Sequence, residues 1–421
     1  MDAVAPVFEA ADLPGVRRRT VRTLLLTESL GSAGFYGAYA AGSVLAADLL
    51  SGDALTGLPT SSAVLGAALA SVPLSRRMLR LGRRHGLVLG YVVGVVGAAL
   101  VVGAAALRSF PLVLPGMLLV GVANSSNHLA RYVAGDVYPP ERRGTAISLV
   151  VWGSTIGAVL GPNLLAPAGR VARAVGLTES GGFYAIALLA FASAAVVISR
   201  RLHPDPLDVA RYLEADHAAG REAEPARSAL RVPAVQVALA AMIGSYAVMV
   251  MVMSMTPVHL RAHDHGLGPI GLVISAHLLG MFALSPLTGR LCDRLGSATV
   301  IAAGAILLPA SAALAAALDA SRHEPMMGAL FLLGLGWNFG FVGGSTLLTD
   351  ALRPTERVAM QGGADLATGL TSAAGSSVAG VLFALGGLEA LAGAGAAVSV
   401  AVLALLVGRW PGLRPATVAA A

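Results

Sequence analysis

Long apolar segments, repeated along the whole chain, constrain this sequence more than any other feature. Each is mostly apolar over about 20 residues, the length that an α-helix needs to cross the hydrocarbon core of a bilayer. The sequence therefore predicts an all-α membrane protein with twelve transmembrane helices. The predicted spans lie near residues 23–47, 56–75, 86–107, 111–134, 144–166, 182–199, 233–257, 268–288, 297–318, 326–350, 360–386 and 389–408.

The composition agrees with a membrane protein and excludes several other classes. Only 12% of the 421 residues are charged, roughly half the share found in soluble proteins. The single cysteine, Cys292, excludes a disulfide scaffold. Because all basic residues are arginine, the GxxxxGK[ST] loop of an ATP-driven pump cannot be present. With no HExxH motif and no convincing nucleophile–base pair, we expect neither enzymatic activity nor a tightly bound cofactor.

One polar stretch divides the chain into two sets of six spans. Residues 200–232 hold six arginines and six acids and are predicted to form a solvated linker with a short helix. The predicted organisation is an N-terminal segment 1–22, a first half 23–199, this linker, a second half 233–408 and a tail 409–421. A duplicated six-plus-six arrangement is typical of carriers that work by alternating access.

The distribution of arginine predicts the orientation of the chain. With the N-terminus inside, 23 of the 29 arginines fall in cytoplasmic segments and five in outer loops. The positive-inside rule then predicts that both termini are cytoplasmic, and we expect a multi-pass protein of the bacterial inner membrane. The same count explains the net charge of +6 without nucleic acid. The expected partners are the lipid bilayer and a small solute or metal ion, and we expect a monomer.

A loop motif follows the eighth span and has a degraded copy after the second. The intact copy is GxxxDRxG, formed by Gly289, Asp293, Arg294 and Gly296, whereas Ser75 stands at the acid position of the first copy. An acid beside an arginine at a tight turn can cap a helix and hold two parts of a bundle together. The motif resembles the signature loop of the major facilitator superfamily. The resemblance implies two pseudo-symmetric six-helix halves; the alternative is a simple positive-inside loop.

The fifth span contains glycines at a spacing of four. Gly153, Gly157 and Gly161 share one helix face, and Pro162 follows them. Small residues at this spacing allow another helix to approach closely. The pattern resembles the GxxxGP motif of proton-coupled antiporters in the same superfamily, which favours an exporter. Simple helix packing is the alternative.

Sulfur and imidazole groups are concentrated in the seventh and eighth spans. Four of the chain's 12 methionines lie within seven residues of span 7, as two i, i+4 pairs on roughly opposite faces. One pair can therefore face a central cavity whichever way the helix is turned. Span 8 carries a further i, i+4 pair, and three histidines follow span 7 at its predicted outer end. The residues are Met249, Met251, Met253, Met255, His277 and Met281, with His259, His263 and His265 at the outer mouth.

This cluster has the chemistry of a soft-metal site. Thioether and neutral imidazole suit copper(I), and the outer histidines could capture the ion before it enters. MxxxM in span 7 and HxxxM in span 8 resemble the CcoA-like copper importers of the major facilitator superfamily. The resemblance implies copper as the transported substrate, although Cys292 lies in a cytoplasmic loop, away from the predicted pathway. Methionine also fills irregular apolar cavities, so a proton-coupled exporter of drugs or small metabolites remains the alternative.

Four ionisable residues lie within predicted spans, where an uncompensated charge is costly. They are Glu28 in span 1, His128 and Arg131 in span 4, and Asp365 in span 11. Glu28 is expected to pair with Arg131, either as a titrating group or as a fixed contact. His128 could shuttle protons. Asp365 is either a second coupling acid or a cap near the end of its span.

Overall fold

The structure is a computed structural model that describes residues 12–50, 55–174, 179–217, 226–319 and 322–413. Within these ranges the regular structure is α-helical, with short 3-10 turns between some helices. The helices are α1 (Leu13–Leu49), α2 (Leu58–Leu81), α3 (Arg83–Ala106), α4 (Phe110–Asp136), α5 (Arg143–Asn163), α6 (Leu165–Ala174), α7 (Glu179–Arg201), α8 (Pro206–His217), α9 (Pro233–Ala262), α10 (Leu267–Phe282), α11 (Ser285–Leu295), α12 (Ser297–Ala317), α13 (His323–Ala351) and α14 (Pro354–Arg409).

Every predicted span overlaps one or two of these helices. In the described part of the chain, ten helical stretches are long and apolar enough to cross a membrane. One of them, α14, covers both of the last two predicted spans, and its backbone leaves helical geometry at Gly386 and Gly387. The helix α1 contains the first predicted span but is not among the ten, and it is rich in glycine, serine and threonine. Twelve spans with cytoplasmic termini therefore remain a prediction.

The chain divides into two compact units that do not coincide with the two sequence halves. Unit 1 comprises Met1–Pro139, Leu149–Arg221 and Val358–Gly369, and unit 2 comprises Pro140–Ser148, Glu222–Arg357 and Leu370–Ala421. Each unit thus contains a short segment from the other sequence half. The helices α5 and α14 contribute residues to both units.

Buried polar contacts in unit 1 connect α3 with α4, α14 and the start of the linker. The Arg83 side chain is fully buried and donates to Asp136 at 2.8 Å and to Gln361 at 2.7 Å. Asp205, at the start of the linker, accepts backbone N–H groups of Arg83 and Arg84 and thereby caps α3. The predicted short helix of the linker is α8. Its apolar side packs on the ends of α1 and α4 through Val16, Val137 and Val209.

The glycine stripe of α5 lies against α1 within unit 1. A Cβ atom on Gly157 would overlap the Cβ of Ser32 and lie 2.5 Å from the backbone nitrogen of Ala33. A Cβ on Gly161 would lie 2.8 Å from the carbonyl oxygen of Ala33, and one on Gly153 3.0 Å from that of Leu25. The side chain of Pro162 falls outside the described part. The two backbones therefore approach too closely for larger residues.

We expect Gly157→Ala to lower stability because the new methyl group would meet rigid backbone. Overpacking of this kind typically costs about 1–3 kcal/mol. The matched control is Gly103→Ala, where a Cβ atom meets nothing within 4 Å. That substitution should be neutral or slightly stabilising, since alanine is the better helix former. Thermal unfolding in detergent measures both, and equal midpoints for the two variants would contradict the close α1–α5 approach.

Candidate functional site

The buried acid of α1 is held by hydroxyl groups of its own helix and α5. Glu28 Oε1 accepts from Ser32 at 3.0 Å and from Ser154 at 2.6 Å. The other oxygen, Oε2, is buried without a hydrogen-bond partner. Among the described residues, no basic nitrogen lies within 4 Å of Glu28. This acid is therefore placed in a weakly polar site of unit 1 with one oxygen unsatisfied.

Arg131 of α4 is paired with Asp365 of α14, also within unit 1. The guanidinium donates to the Asp365 carboxylate at 2.6 and 3.4 Å, and both side chains are almost fully buried. It also donates to the hydroxyl of Tyr132 at 2.8 Å, lies over that ring, and contacts the carbonyl of His128. The expected partner of Arg131 was Glu28, whereas the structure gives Asp365 this role. The sequence alone does not identify this pair, because its members are 234 positions apart in the chain.

The eighth predicted span, 268–288, is interrupted near its C-terminal end. Helix α10 ends at Phe282 and α11 begins at Ser285, and Pro286 in the first turn of α11 removes one backbone donor. Asn338 of α13 compensates, since its amide nitrogen donates to Met281 O at 2.6 Å and to Ser285 Oγ at 2.7 Å. Its amide oxygen accepts from Thr288 at 2.5 Å. Asn338 thus satisfies both sides of the break.

We expect Asn338→Leu to destabilise unit 2 because it removes the side-chain donor of the buried Met281 carbonyl and of the Ser285 hydroxyl, and it leaves Thr288 only its 3.4 Å bond to the Leu284 carbonyl. Each unsatisfied buried group costs about 1–3 kcal/mol. Thr288→Val is the milder comparison, since it removes only one of the three bonds. Denaturant unfolding should rank wild type above Thr288→Val and Thr288→Val above Asn338→Leu. An unfolding midpoint of Asn338→Leu equal to that of the wild type would show that the hydrogen bonds of Asn338 do not stabilise the junction of α10 and α11.

His277 lies in the seam between α10 and α13. Its ring is 2% exposed, and Nδ1 lies 3.0 Å from the carbonyl oxygen of Leu330. Because a carbonyl only accepts, Nδ1 carries the proton, and Nε2 of the neutral ring is an acceptor. That Nε2 atom is buried without a partner. Met281, one turn further along α10, is also buried.

The methionines of α9 differ in burial, and the histidines that follow them are arranged in pairs. Met249 and Met251 are buried, and Met253 and Met255 are half-buried. Among the described residues, no group of three His, Cys, Asp or Glu side chains is placed to hold a metal ion. Two separate histidine pairs form instead, with ring centroids 4.5 and 5.6 Å apart. The pairs are His259 with His263, and His265 with His323.

An aromatic cluster joins α9, α10 and α13 in unit 2. The Trp337 ring stacks on Phe341 at 4.5 Å and meets Tyr246 and Phe282 edge-on at 5.3 and 5.7 Å. The indole Nε1 is buried without a hydrogen-bond partner. Hydropathy predicts that these residues lie in membrane-spanning helices. It does not predict that three helices contact one another at Trp337, because these residues are far apart in the sequence.

The signature loop caps a helix within unit 2. Asp293 accepts from the backbone N–H groups of Gly144 and Thr145 at 2.8 and 3.0 Å, and so it holds the N-terminus of α5. A Cβ on Gly289 would overlap the side chain of Ser148, and Gly296 has φ +84°. Arg294 is exposed. The loop therefore acts as a helix cap and tight turn, as its residue types suggest.

Together these features define a class of protein. Unit 1 contains membrane-length helices with a buried acid and a buried ion pair, and unit 2 contains membrane-length helices with a proline kink and an uncharged aromatic cluster; ionisable groups buried among such helices are typical of membrane transporters. The family model of the Major Facilitator Superfamily matches residues 24–269 and 237–420. The chain belongs to this superfamily, whose members are transporters rather than enzymes, and it is a multi-pass secondary transporter.

Several relatives extend the comparison over nearly the whole chain. The uncharacterized MFS-type transporter YddS of Bacillus subtilis is 34% identical over 396 residues, covering 93% of this chain and 90% of that protein. The riboflavin transporter RfnT of Brucella anthropi is 32% identical over 378 residues, covering 89% and 91%. These relatives do not support the copper importer branch specifically.

Solved structures share the fold at lower identity. The human organic anion transporter MFSD10 has a TM-score of 0.70 at 18% identity, with 93% of this chain and 99% of that chain covered. The transporter FucP, in its outward conformation, has a TM-score of 0.58 at 15% identity, with 91% and 98% covered. At these identities the likeness concerns the fold alone.

Proposed function

We propose that the protein is a proton-coupled transporter of a small organic solute in the bacterial inner membrane. The observation that carries the proposal is the contrast between Glu28 and Asp365, two of the buried acids of unit 1. Asp365 is neutralised by Arg131 at 2.6 Å, whereas Glu28 has only hydroxyl partners and one unsatisfied oxygen. A proton is the charge that can bind Glu28 in this site, so its binding and release can be linked to alternating access.

An organic solute suits unit 2 better than a metal ion. His277 lies in the seam between two helices, and the neighbouring surfaces are aromatic and uncharged. The relatives of the chain support this choice, since one of them is named for riboflavin. The solute therefore belongs to the small uncharged or weakly polar organic molecules that an apolar pocket with a few polar groups can hold.

The test is solute accumulation in proteoliposomes with an imposed pH gradient. Riboflavin and a panel of uncharged heteroaromatic compounds serve as probes, with protein-free vesicles as the control. We expect at least one compound to accumulate only when protein and gradient are both present. The proposal fails if no compound in the panel responds to the gradient while the protein remains folded in the vesicles.

Copper(I) transport is the second candidate, and one observation favours it. Metal-binding histidines usually donate their other ring nitrogen to a carbonyl or carboxylate, which is the arrangement of His277 with Leu330. Met281 lies one turn away and supplies a thioether. Copper content of cells expressing wild type, Met251→Leu, Met253→Leu or His277→Ala tests this function. It predicts accumulation that falls in the variants, and equal copper content in all strains would exclude it.

A further inference from the structure

We infer that the junction of α3 and α7 in unit 1 binds the phosphate headgroup of an anionic phospholipid, with Arg19, Arg84 and His203 as its contacts. In the orientation predicted from the arginine distribution, this junction lies at the inner leaflet of the membrane. Anionic headgroups of that leaflet attract basic segments at helix ends. Lipid binding there does not depend on which solute the protein transports.

Basic groups from three parts of the chain meet just after α7. The Arg19 guanidinium, from the first turns of α1, donates to the carbonyl oxygen of His203. The Arg84 guanidinium, from the start of α3, contacts the imidazole ring of His203. In the described part of the chain, no carboxylate oxygen lies within 4 Å of either guanidinium. Two arginines are therefore held by groups without negative charge, a place where an anion can form charge-assisted hydrogen bonds.

The acid beside this junction is already used by the backbone. Asp205 accepts the N–H groups of Arg83, Arg84 and Leu207 at 2.9, 3.0 and 2.9 Å. Its carboxylate therefore fixes the start of α3 next to the linker, and it does not pair with the guanidinium of Arg84.

Further arginines surround the contacts. Within three residues of Arg19 or His203 in the chain, four more arginines are exposed, and they have no carboxylate within 4 Å among the described residues. They are Arg18, Arg22, Arg200 and Arg201. Clusters of about four to eight basic residues at the cytoplasmic end of membrane helices bind anionic lipids.

Exposed apolar side chains lead away from the junction along α3 and α7, which pack against each other. On α3, Leu89, Val92 and Val96 are exposed and share one helix face. On α7, Leu189 and Val196 are exposed. From Leu89 to Val96 the rise is roughly 10 Å, which lies within the roughly 15 Å depth of hydrocarbon in one leaflet. Acyl chains can therefore lie along both helices.

The two features together favour a phospholipid over a free phosphate ion. Arginine presents its N–H groups in a planar fork that matches phosphate oxygens. A phosphodiester headgroup has two free oxygens and one negative charge, so one oxygen is available for Arg19 and the other for Arg84. Only a lipid also has chains that cover the apolar stripes of α3 and α7.

Two lipids with the same acyl chains test the headgroup requirement on the wild-type protein. Dioleoyl phosphatidylglycerol is anionic, whereas dioleoyl phosphatidylcholine is zwitterionic. Thermal-shift titration of the purified full-length protein in a neutral detergent gives both dissociation constants. We expect phosphatidylglycerol to bind at least about tenfold more tightly at low salt, with a smaller difference in about 1 M salt. Equal dissociation constants at low salt would overturn the inference.

Matched variants locate the site. Arg19→Gln/Arg84→Gln should weaken phosphatidylglycerol binding roughly 25-fold, since each arginine near an anionic headgroup contributes about fivefold. Arg290→Gln/Arg409→Gln removes two exposed arginines of α11 and α14 and changes the net charge equally. This control should keep the wild-type affinity. An equal loss in both double variants would show a general effect of surface charge and overturn the site.

Two further measurements complete the test. If Arg19→Gln/Arg84→Gln does not fold, Arg200→Gln removes an exposed arginine at the end of α7 and should weaken phosphatidylglycerol binding about fivefold. Wild-type affinity of Arg200→Gln would then count against the site. Inorganic phosphate in excess, at constant ionic strength, should not displace the lipid. Displacement would mean that the junction binds free phosphate, which contradicts a lipid site.

Discussion

Glu28→Gln is expected to abolish gradient-driven accumulation while leaving the protein folded. One pH unit corresponds to 1.36 kcal/mol, so a carrier that couples one proton to one solute accumulates it about tenfold per pH unit. The amide keeps the size of the acid and its contacts with Ser32 and Ser154 but cannot take up and release a proton. Accumulation in proteoliposomes should therefore fall from about tenfold to equilibration at the same gradient.

Two comparisons make the Glu28 result specific. Solute exchange without a gradient should persist in Glu28→Gln, since exchange requires the site and its exposure to both sides but no net proton movement. Glu389→Gln removes an exposed acid of α14 and should behave as wild type. Full accumulation by Glu28→Gln would show that the proton is carried elsewhere, and loss of exchange as well would indicate a structural defect.

Removal of Arg131 alone is expected to destabilise unit 1 strongly. Arg131→Met leaves the Asp365 carboxylate buried and unpaired, which typically costs about 3–5 kcal/mol. The double variant Arg131→Met/Asp365→Leu removes both charges and should recover much of this loss. Denaturant unfolding of the wild type, both single variants and the double variant forms a cycle that isolates the coupling.

One outcome of this cycle would contradict an interaction between Arg131 and Asp365. If the loss in free energy of unfolding of the double variant equals the sum of the losses of the two single variants, the side chains do not interact. The ion pair would then contribute nothing to stability. A strong coupling would instead support Asp365 as a fixed partner of Arg131. That assignment is consistent with Glu28, which has no basic partner among the described residues, as the acid that exchanges the proton.

The sequence was informative about local structure because membrane helices carry their signal in runs of apolar residues. The boundary predicted between residues 386 and 389 coincides with the non-helical glycines Gly386 and Gly387. The turn predicted around Asp293 and Gly296 is present, and Asp293 caps α5. The short linker helix predicted within 200–232 is α8. Each of these features depends on residues close together in the chain.

Partner choice and helix rotation were harder to predict. Glu28 and Asp365 are both acids within reach of α4 in a bundle, and hydropathy does not say which one meets Arg131. The i, i+4 spacing of His277 and Met281 predicted that they share one face of the helix. It did not predict that His277 contacts α13. The compact units also exchange short segments between sequence halves. These features depend on contacts between residues far apart in sequence.

The central claim, proton-coupled transport of an organic solute, is tested most directly by the reverse flux. Proteoliposomes containing a pH indicator are given a solute gradient without a pH gradient, with riboflavin, the heteroaromatic panel and copper(I) in parallel. We predict that at least one organic compound moves protons in the wild type, that Glu28→Gln abolishes this movement, and that copper(I) has no effect. Proton movement driven by copper(I), with none driven by any organic compound, would contradict the account.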